Sequence, residues 1–234
     1  SSTAVGFPGE ASGILLAPED YSGTSIATVP MGHGLAVTPI QMLDVYLTIA
    51  NGGQSRDPRL VGATVDPDGT RQNMPIDTGS LAISESTAAT LASMMTDVVT
   101  AGTGKLAAID GYTVAGKTGT AQQVADDGAG YVEGAFDASF AGFAPAEDPR
   151  LAAIVVLDRP QPYYGGTVAA PVFSEIMRMA LRSMSVPTNG SGQYAEASEA
   201  YAAQVAAQAA QEEAEAAQQQ AEAGAAQGGT TGSA

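Results

Sequence analysis

The chain has 234 residues, 44% of them hydrophobic, enough for one globular domain of ordinary size. Nine Lys and Arg stand against 25 Asp and Glu, a formal net charge of −16. Such a field repels polyphosphate and excludes nonspecific nucleic-acid binding. With no Cys and only His33 as imidazole, disulfides, thiolate zinc sites and cysteine catalysis are ruled out, and no cofactor or metal is expected.

No apolar run approaches the ~20 residues that span a bilayer; the longest, Leu151 to Leu157, is strand-sized. The opening Ser1-Ser2-Thr3 carries neither the basic nor the apolar region of a signal peptide, and no initiator Met. It reads as the start of a mature product or a fragment.

Thr38-Pro39 is an N-cap followed by proline at the first helical position. Ile40, Leu43, Leu47 and Ala50 follow at helical spacing, and Asn51-Gly52-Gly53 ends the helix. A second helix opens at Ser84-Glu85, carries Leu91, Met94, Met95 and Val98 on one stripe, and stops at Ala101-Gly102. Three strands are expected next: Tyr112–Ala115 running into Lys117, Ala138–Phe143, and Leu151–Asp158, the last reading as buried on both faces. Tyr163-Tyr164-Gly165-Gly166 reads as a flexible loop, and a closing helix over about 171–184 presents Val172, Phe173, Ile176, Met177, Ala180 and Leu181. The order α, α, β, β, β, α is not βαβ alternation. It predicts an α/β (α+β) fold, an antiparallel sheet flanked by helices.

Composition breaks near residue 185. Residues 185–234 contain six Glu and no Lys or Arg, with little beyond Tyr194, Tyr201 and Val205 to bury. Ala, Glu and Gln support a solvated helix over about 194–223, but the large a/d residues of a coiled coil are missing. The segment reads as a disordered tail after a domain at 1–184.

The stretch that carries chemistry is Gly111-Tyr112-Thr113-Val114-Ala115-Gly116-Lys117-Thr118-Gly119-Thr120-Ala121-Gln122. Glycines within a strand mark places where another backbone or a ligand comes close. Thr118 and Thr120, two apart, share one face, while Lys117 and Gly119 take the other. The local picture is an anion-recognising strand edge; the bland alternative is a surface lysine in a Gly-rich turn.

This segment resembles the K-T-G motif of the serine penicillin-recognising enzymes, and its extension into Ala121-Gln122 is typical of class B penicillin-binding proteins, the FtsI-like peptidoglycan D,D-transpeptidases. Gly6-Phe7-Pro8-Gly9-Glu10, Gly32-His33-Gly34-Leu35-Ala36-Val37-Thr38-Pro39-Ile40-Gln41, Ala141-Gly142-Phe143-Ala144-Pro145 and Ala170-Pro171-Val172-Phe173 resemble further family elements in family order. The resemblance covers about residues 3–184.

It implies part of the serine β-lactamase and penicillin-binding-protein transpeptidase-like fold. The companion motifs are absent. S-x-x-K would need Ser where Gly102 and Val114 stand, and S-x-N would need it where Ile49, Arg71 and Pro187 stand. In the family both motifs precede the region matching residue 1. The chain therefore reads as the C-terminal part of a transpeptidase domain, without its nucleophile and inactive alone.

By the same resemblance, Lys117 supplies positive potential beside the nucleophile, and Thr118 and Thr120 hydrogen-bond the substrate carboxylate. The backbone N–H of Thr120 is half of the oxyanion hole. Catalytic roles thus fall to Lys117 and Thr120, and substrate contacts to Thr118, Gly119, Thr120 and Gln122. The strand edge takes up the D-alanyl-D-alanine stem peptide of peptidoglycan, and β-lactams mimic it. The implied setting is the extracytoplasmic face of a bacterial plasma membrane, with an anchor upstream and a SEDS-type glycan polymerase as partner through the missing part. Alternatives are a penicillin-binding sensor or class D β-lactamase, and a noncatalytic scaffold.

The remaining readings are structural. His33 is a turn residue between Gly32 and Gly34. Asp126, Asp127 and Glu133 lie on a solvated connection without EF-hand spacing. Ala101–Lys105 hints at a P-loop that Val99 and Leu106 reject. The family sheet is five-stranded with two strands contributed from upstream, so strand 151–158 is expected to show an unpaired apolar edge and the isolated chain to be poorly folded or to associate.

Overall fold

The computed structural model describes residues 3, 5, 7–32, 34–125, 130–189 and 207. His33, Asp126, Asp127 and the tail from 190 on, Ala207 excepted, lie outside the described residues, as do the readings made for them.

In chain order the elements are β1 (Ile14–Leu15), α1 (Ser25–Thr28), β2 (Leu35–Ala36), α2 (Pro39–Ala50), β3 (Gln54–Ser55), β4 (Ala63–Val65), β5 (Arg71–Asn73) and β6 (Ser80–Leu81), followed by α3 (Glu85–Thr100), β7 (Ala115–Val124), β8 (Tyr131–Ala144), β9 (Leu151–Asp158) and α4 (Gly165–Ser183). The two expected helix starts follow their caps. Thr38 and Gln41 form a reciprocal capping box ahead of Pro39, and the Ser84 hydroxyl accepts from Thr87 N at 3.1 Å. The short strands form three two-stranded antiparallel ribbons, β1-β2, β3-β6 and β4-β5.

The long strands form one antiparallel sheet in the order β7-β8-β9, with β8 in the centre. Phe140 and Phe143 on β8 differ by an odd number and so face opposite sides. Phe140 packs on Phe173 of α4 with ring centroids 4.7 Å apart. Around that pair lies the core, including Val99, Ile109, Tyr112, Val114, Met177 and Leu181, all buried. Phe143, on the other side, lines a recess of about 500 Å³ with Ile49 and Ala50 of α2 and Ala88 and Ala92 of α3. The sheet is thus sandwiched, with α4 over one face and α2 with the start of α3 over the other.

Four expectations change. The middle strand begins at Tyr131 rather than Ala138, so Glu133 lies on β8 and not on a connection. The first strand begins at Ala115 rather than Tyr112, because the Ile109–Tyr112 turn closes on itself through an isolated bridge. Strand β9 is half-buried rather than buried on both faces, and Val156 is 44% exposed, because among the described residues β9 has a strand neighbour only in β8. The closing helix begins at Gly165, six residues before Pro171, which sits inside it. Proline favours the first helical turn but does not have to mark it. A Gly-Gly pair opens this helix instead, and Tyr163-Tyr164 is a packed lead-in.

The packed chain also continues past the compositional break at 184. Tyr112 donates its hydroxyl to Val186 O at 2.7 Å, and Val186 is buried. Asn189 takes the Thr113 N–H on Oδ1 at 3.1 Å, and its amide donates to Thr113 Oγ1 and Glu147 Oε2, each at 2.7 Å. These bonds tie the last described turn of chain to the lead-in of β7.

Candidate active site

The K-T-G-T segment lies on β7, an outer strand of the long sheet, so one of its edges is free of strand neighbours among the described residues. Its register against β8 pairs Lys117 with Ala141, Thr118 with Phe140, Gly119 with Ser139 and Thr120 with Ala138. Thr118 and Thr120 therefore share the Phe140 face that α4 covers, and Lys117 and Gly119 share the other, as the period of two requires.

Close approach explains the first glycine. A Cβ on Gly116 would sit 2.5 Å from Phe140 Cζ and 2.8 Å from Ala141 O, so only glycine lets the Phe140 ring slide beneath the strand one residue before Lys117. The core and the site are joined at this point.

Each site side chain has a defined partner. Lys117 is exposed, and its Nζ donates to Thr118 O at 2.8 Å and to Thr118 Oγ1 at 3.4 Å. Thr118 Oγ1 lies 2.8 Å from Thr103 Oγ1. Thr120 Oγ1 accepts the N–H of Gly165, the first residue of α4, at 3.2 Å. Thr118 thus meets the loop after α3 and Thr120 the start of α4, while Lys117 reaches across to Thr118. Gln122 is exposed and turned toward β8, its amide donating to Val132 O at 3.1 Å.

Beyond Thr120, Phe136 is the register partner of Gln122 and stacks on Tyr163 with centroids 4.4 Å apart. Tyr163 in turn packs on Tyr164 at 4.4 Å. The Tyr-Tyr pair read from sequence as flexible loop is a stacked aromatic cluster. Further along, the Gln123 amide donates to Asp137 at 2.7 Å and Asp158 at 2.6 Å. That bond, and then the Arg159 guanidinium, hold the Asp158 carboxyl below the ordinary carboxylate range.

The strand is legible in the sequence, but the bracing role of Thr103, Gly165 and Gly166 is not. A Cβ on Gly165 would overlap the carbonyl oxygens of Gly119 and Ser139, and one on Gly166 would overlap Thr103 O and lie 3.3 Å from Thr118 Cγ2. The legible signal was the Gly-Gly doublet running without a break into an apolar run at helical spacing. The 500 Å³ recess contains none of Lys117, Thr118 or Thr120 and plays no part in this site.

Among the described residues there is no group of three or more His, Asp or Glu able to hold a metal. None of their helices is long and apolar enough to cross a membrane. What the geometry offers is a cation, two hydroxyls and an open strand edge, a set suited to binding an extended peptide that ends in a carboxylate.

Residues 1–178 match the penicillin binding protein transpeptidase domain. The chain belongs to that family, and its mixed helix and antiparallel sheet is the transpeptidase fold of penicillin-binding proteins. Among its relatives are penicillin-binding protein PbpB of Mycolicibacterium smegmatis, 42% identical over 195 residues, and peptidoglycan D,D-transpeptidase FtsI of Escherichia coli K12, 42% identical over 187 residues. Each alignment takes in 79% of this chain and 30% of the relative. The structure is similar to penicillin-binding protein 3 of Mycobacterium tuberculosis complexed with aztreonam, with a TM-score of 0.73 and 36% identity, covering 80% of this chain and 44% of that one. The chain thus spans about 30% of the length of the curated relatives it matches.

Proposed function

We propose that this chain supplies the substrate-binding strand of a serine-type peptidoglycan D,D-transpeptidase, an acyltransferase that cross-links stem peptides and is acylated by β-lactams. The observation that carries this reading is the convergence of Lys117, Thr118 and Thr120 on an outer strand, braced by Thr103 and the start of α4.

In this reading a D-alanyl-D-alanine stem peptide lies along β7 as an added strand. Its terminal carboxylate takes hydrogen bonds from Thr118 and Thr120, and Lys117 adds positive potential. The Thr120 N–H contributes to the oxyanion hole, where a donor typically accounts for about 10²–10³ in rate. Gly119 allows close approach, and Gln122 lines the far end of the groove. The nucleophile comes from an S-x-x-K serine ahead of this chain, and the chain alone is inactive. The complete enzyme works at the extracytoplasmic face of the bacterial plasma membrane, anchored upstream, with a SEDS-type glycan polymerase as partner.

The test is covalent labelling with a fluorescent penicillin, read as a mass shift on the intact protein. This chain forms no adduct, and a longer protein carrying the upstream serine forms one. A stoichiometric adduct on the chain itself would overturn this division of the site.

A further inference from the structure

A carboxylate accepts hydrogen bonds and cannot donate them, so any hydroxyl that binds one must spend its single proton on it. That requirement fixes the direction of every other bond the hydroxyl makes. For Thr120 the scaffold meets it directly: the Gly165 N–H donates to Oγ1 at 3.2 Å, filling a lone pair and leaving the hydroxyl proton for another acceptor. Among the described residues no backbone N–H plays this role for Thr118. Its Oγ1 neighbours are Lys117 Nζ at 3.4 Å, which can only donate, and Thr103 Oγ1 at 2.8 Å.

We infer that Thr103 is a positioning residue. Its hydroxyl donates to Thr118 Oγ1 and so holds Thr118 as a donor toward the substrate carboxylate. The inference rests on the transpeptidase reading above. With ligand bound, the bonds run Thr103 O–H to Thr118 Oγ1 and Thr118 O–H to carboxylate, and each bond polarises the next. Sequence alone gives Thr103 no role, since it stands in the Gly-Thr-Gly that fails as a P-loop.

Although exposed, Thr103 is held firmly. A Cβ on Gly102 would lie 2.9 Å from Val98 Cα, one on Gly104 would lie 3.0 Å from Phe140 Cε2, and Gly166 closes against the Thr103 carbonyl. The Gly104 N–H also donates to Val98 O at 2.9 Å. The loop is thereby clamped between the end of α3, the core ring and the start of α4, which is how a donor is preorganised without substrate.

The experiment measures second-order acylation of the longer, serine-bearing protein by benzylpenicillin and by its methyl ester, which lacks the charged carboxylate. Thr103→Val lowers the rate with the free acid about five- to ten-fold, the worth of one hydrogen bond. It leaves the ester rate unchanged, and Thr103→Ser restores the acid rate. Thr118→Val and the double variant Thr103→Val/Thr118→Val react with the acid alike, because Thr103 acts only through Thr118. Equal loss with acid and ester, failure of the serine rescue, or multiplicative loss in the double variant each assigns Thr103 a merely structural role and overturns the inference. Unaltered protein that forms no adduct overturns the transpeptidase reading itself. An adduct with Thr103→Val rates equal to the unaltered protein overturns only the role of Thr103.

Discussion

Gly165→Ala separates local propensity from tertiary contact by the sign of its effect. At the first position of a 19-residue helix, propensity alone favours alanine over glycine by up to ~1 kcal/mol. The structure demands the opposite. The new Cβ would fall closer than 3.0 Å to two backbone carbonyls, those of Gly119 and Ser139, and within 3.1 Å of Ser139 N. None of these is a flexible side-chain end that can swing aside. Restoring van der Waals contact requires the start of α4 to withdraw by about 1 Å, and overpacking of this kind costs roughly 1–3 kcal/mol. The net expectation, after the full propensity gain, is destabilisation of up to about 2 kcal/mol. The same withdrawal stretches the Gly165–Thr120 hydrogen bond, already 3.2 Å, beyond bonding range, and acylation slows by about ten-fold. The assays are the denaturant midpoint and the acylation rate of the longer protein, with Gly62→Ala as control because a Cβ there meets nothing within 4 Å. A Gly165→Ala protein as stable and as reactive as the control would refute the claim that the helix start braces the strand.

Phe140→Ala empties the centre of the core, and Gly104 and Gly116 on either side have no side chains to refill it; a loss of about 3–5 kcal/mol is expected in the same denaturant assay. Asp44 has an Oδ1 that is buried without a hydrogen-bond partner among the described residues, and burial, then the Asp57 charge, push its carboxyl above the ordinary value. A carboxyl raised in the folded state penalises folding above its raised value and is relieved as pH falls through it. Asp44→Asn therefore raises the melting temperature at neutral pH, and the gap closes below the ordinary aspartate value near ~3.9. A gap that persists in acid would assign the effect to something other than charge. The outer edge of β9 makes the isolated chain associate in sedimentation, and Val156→Lys on that strand reduces the association; a monodisperse monomer with a sharp, cooperative melt would count against this.

The candidate strand was readable from local pattern. Lys117, Thr118, Gly119 and Thr120 stand in consecutive order, and a strand period of two assigns their faces without reference to any partner. The starts of α2 and α3 were equally legible, because Thr38-Pro39 and Ser84-Glu85 satisfy their own helix ends within four residues. What could not be read were the features that depend on distant chain: that Gly165 and Gly166 begin a helix rather than form a loop, that Thr103 meets Thr118, and that Asn189 ties the chain end to Thr113 and Glu147. The strand boundary at Ala115 and the half-exposure of β9 belong with these, since both depend on which neighbours a segment finds. Sequence by itself determined the candidate strand and the caps, whose physics is local. Tertiary structure alone decided what holds that strand's hydroxyls in place, because a donor 15 or 45 residues away is selected by packing and leaves no periodic mark in the chain.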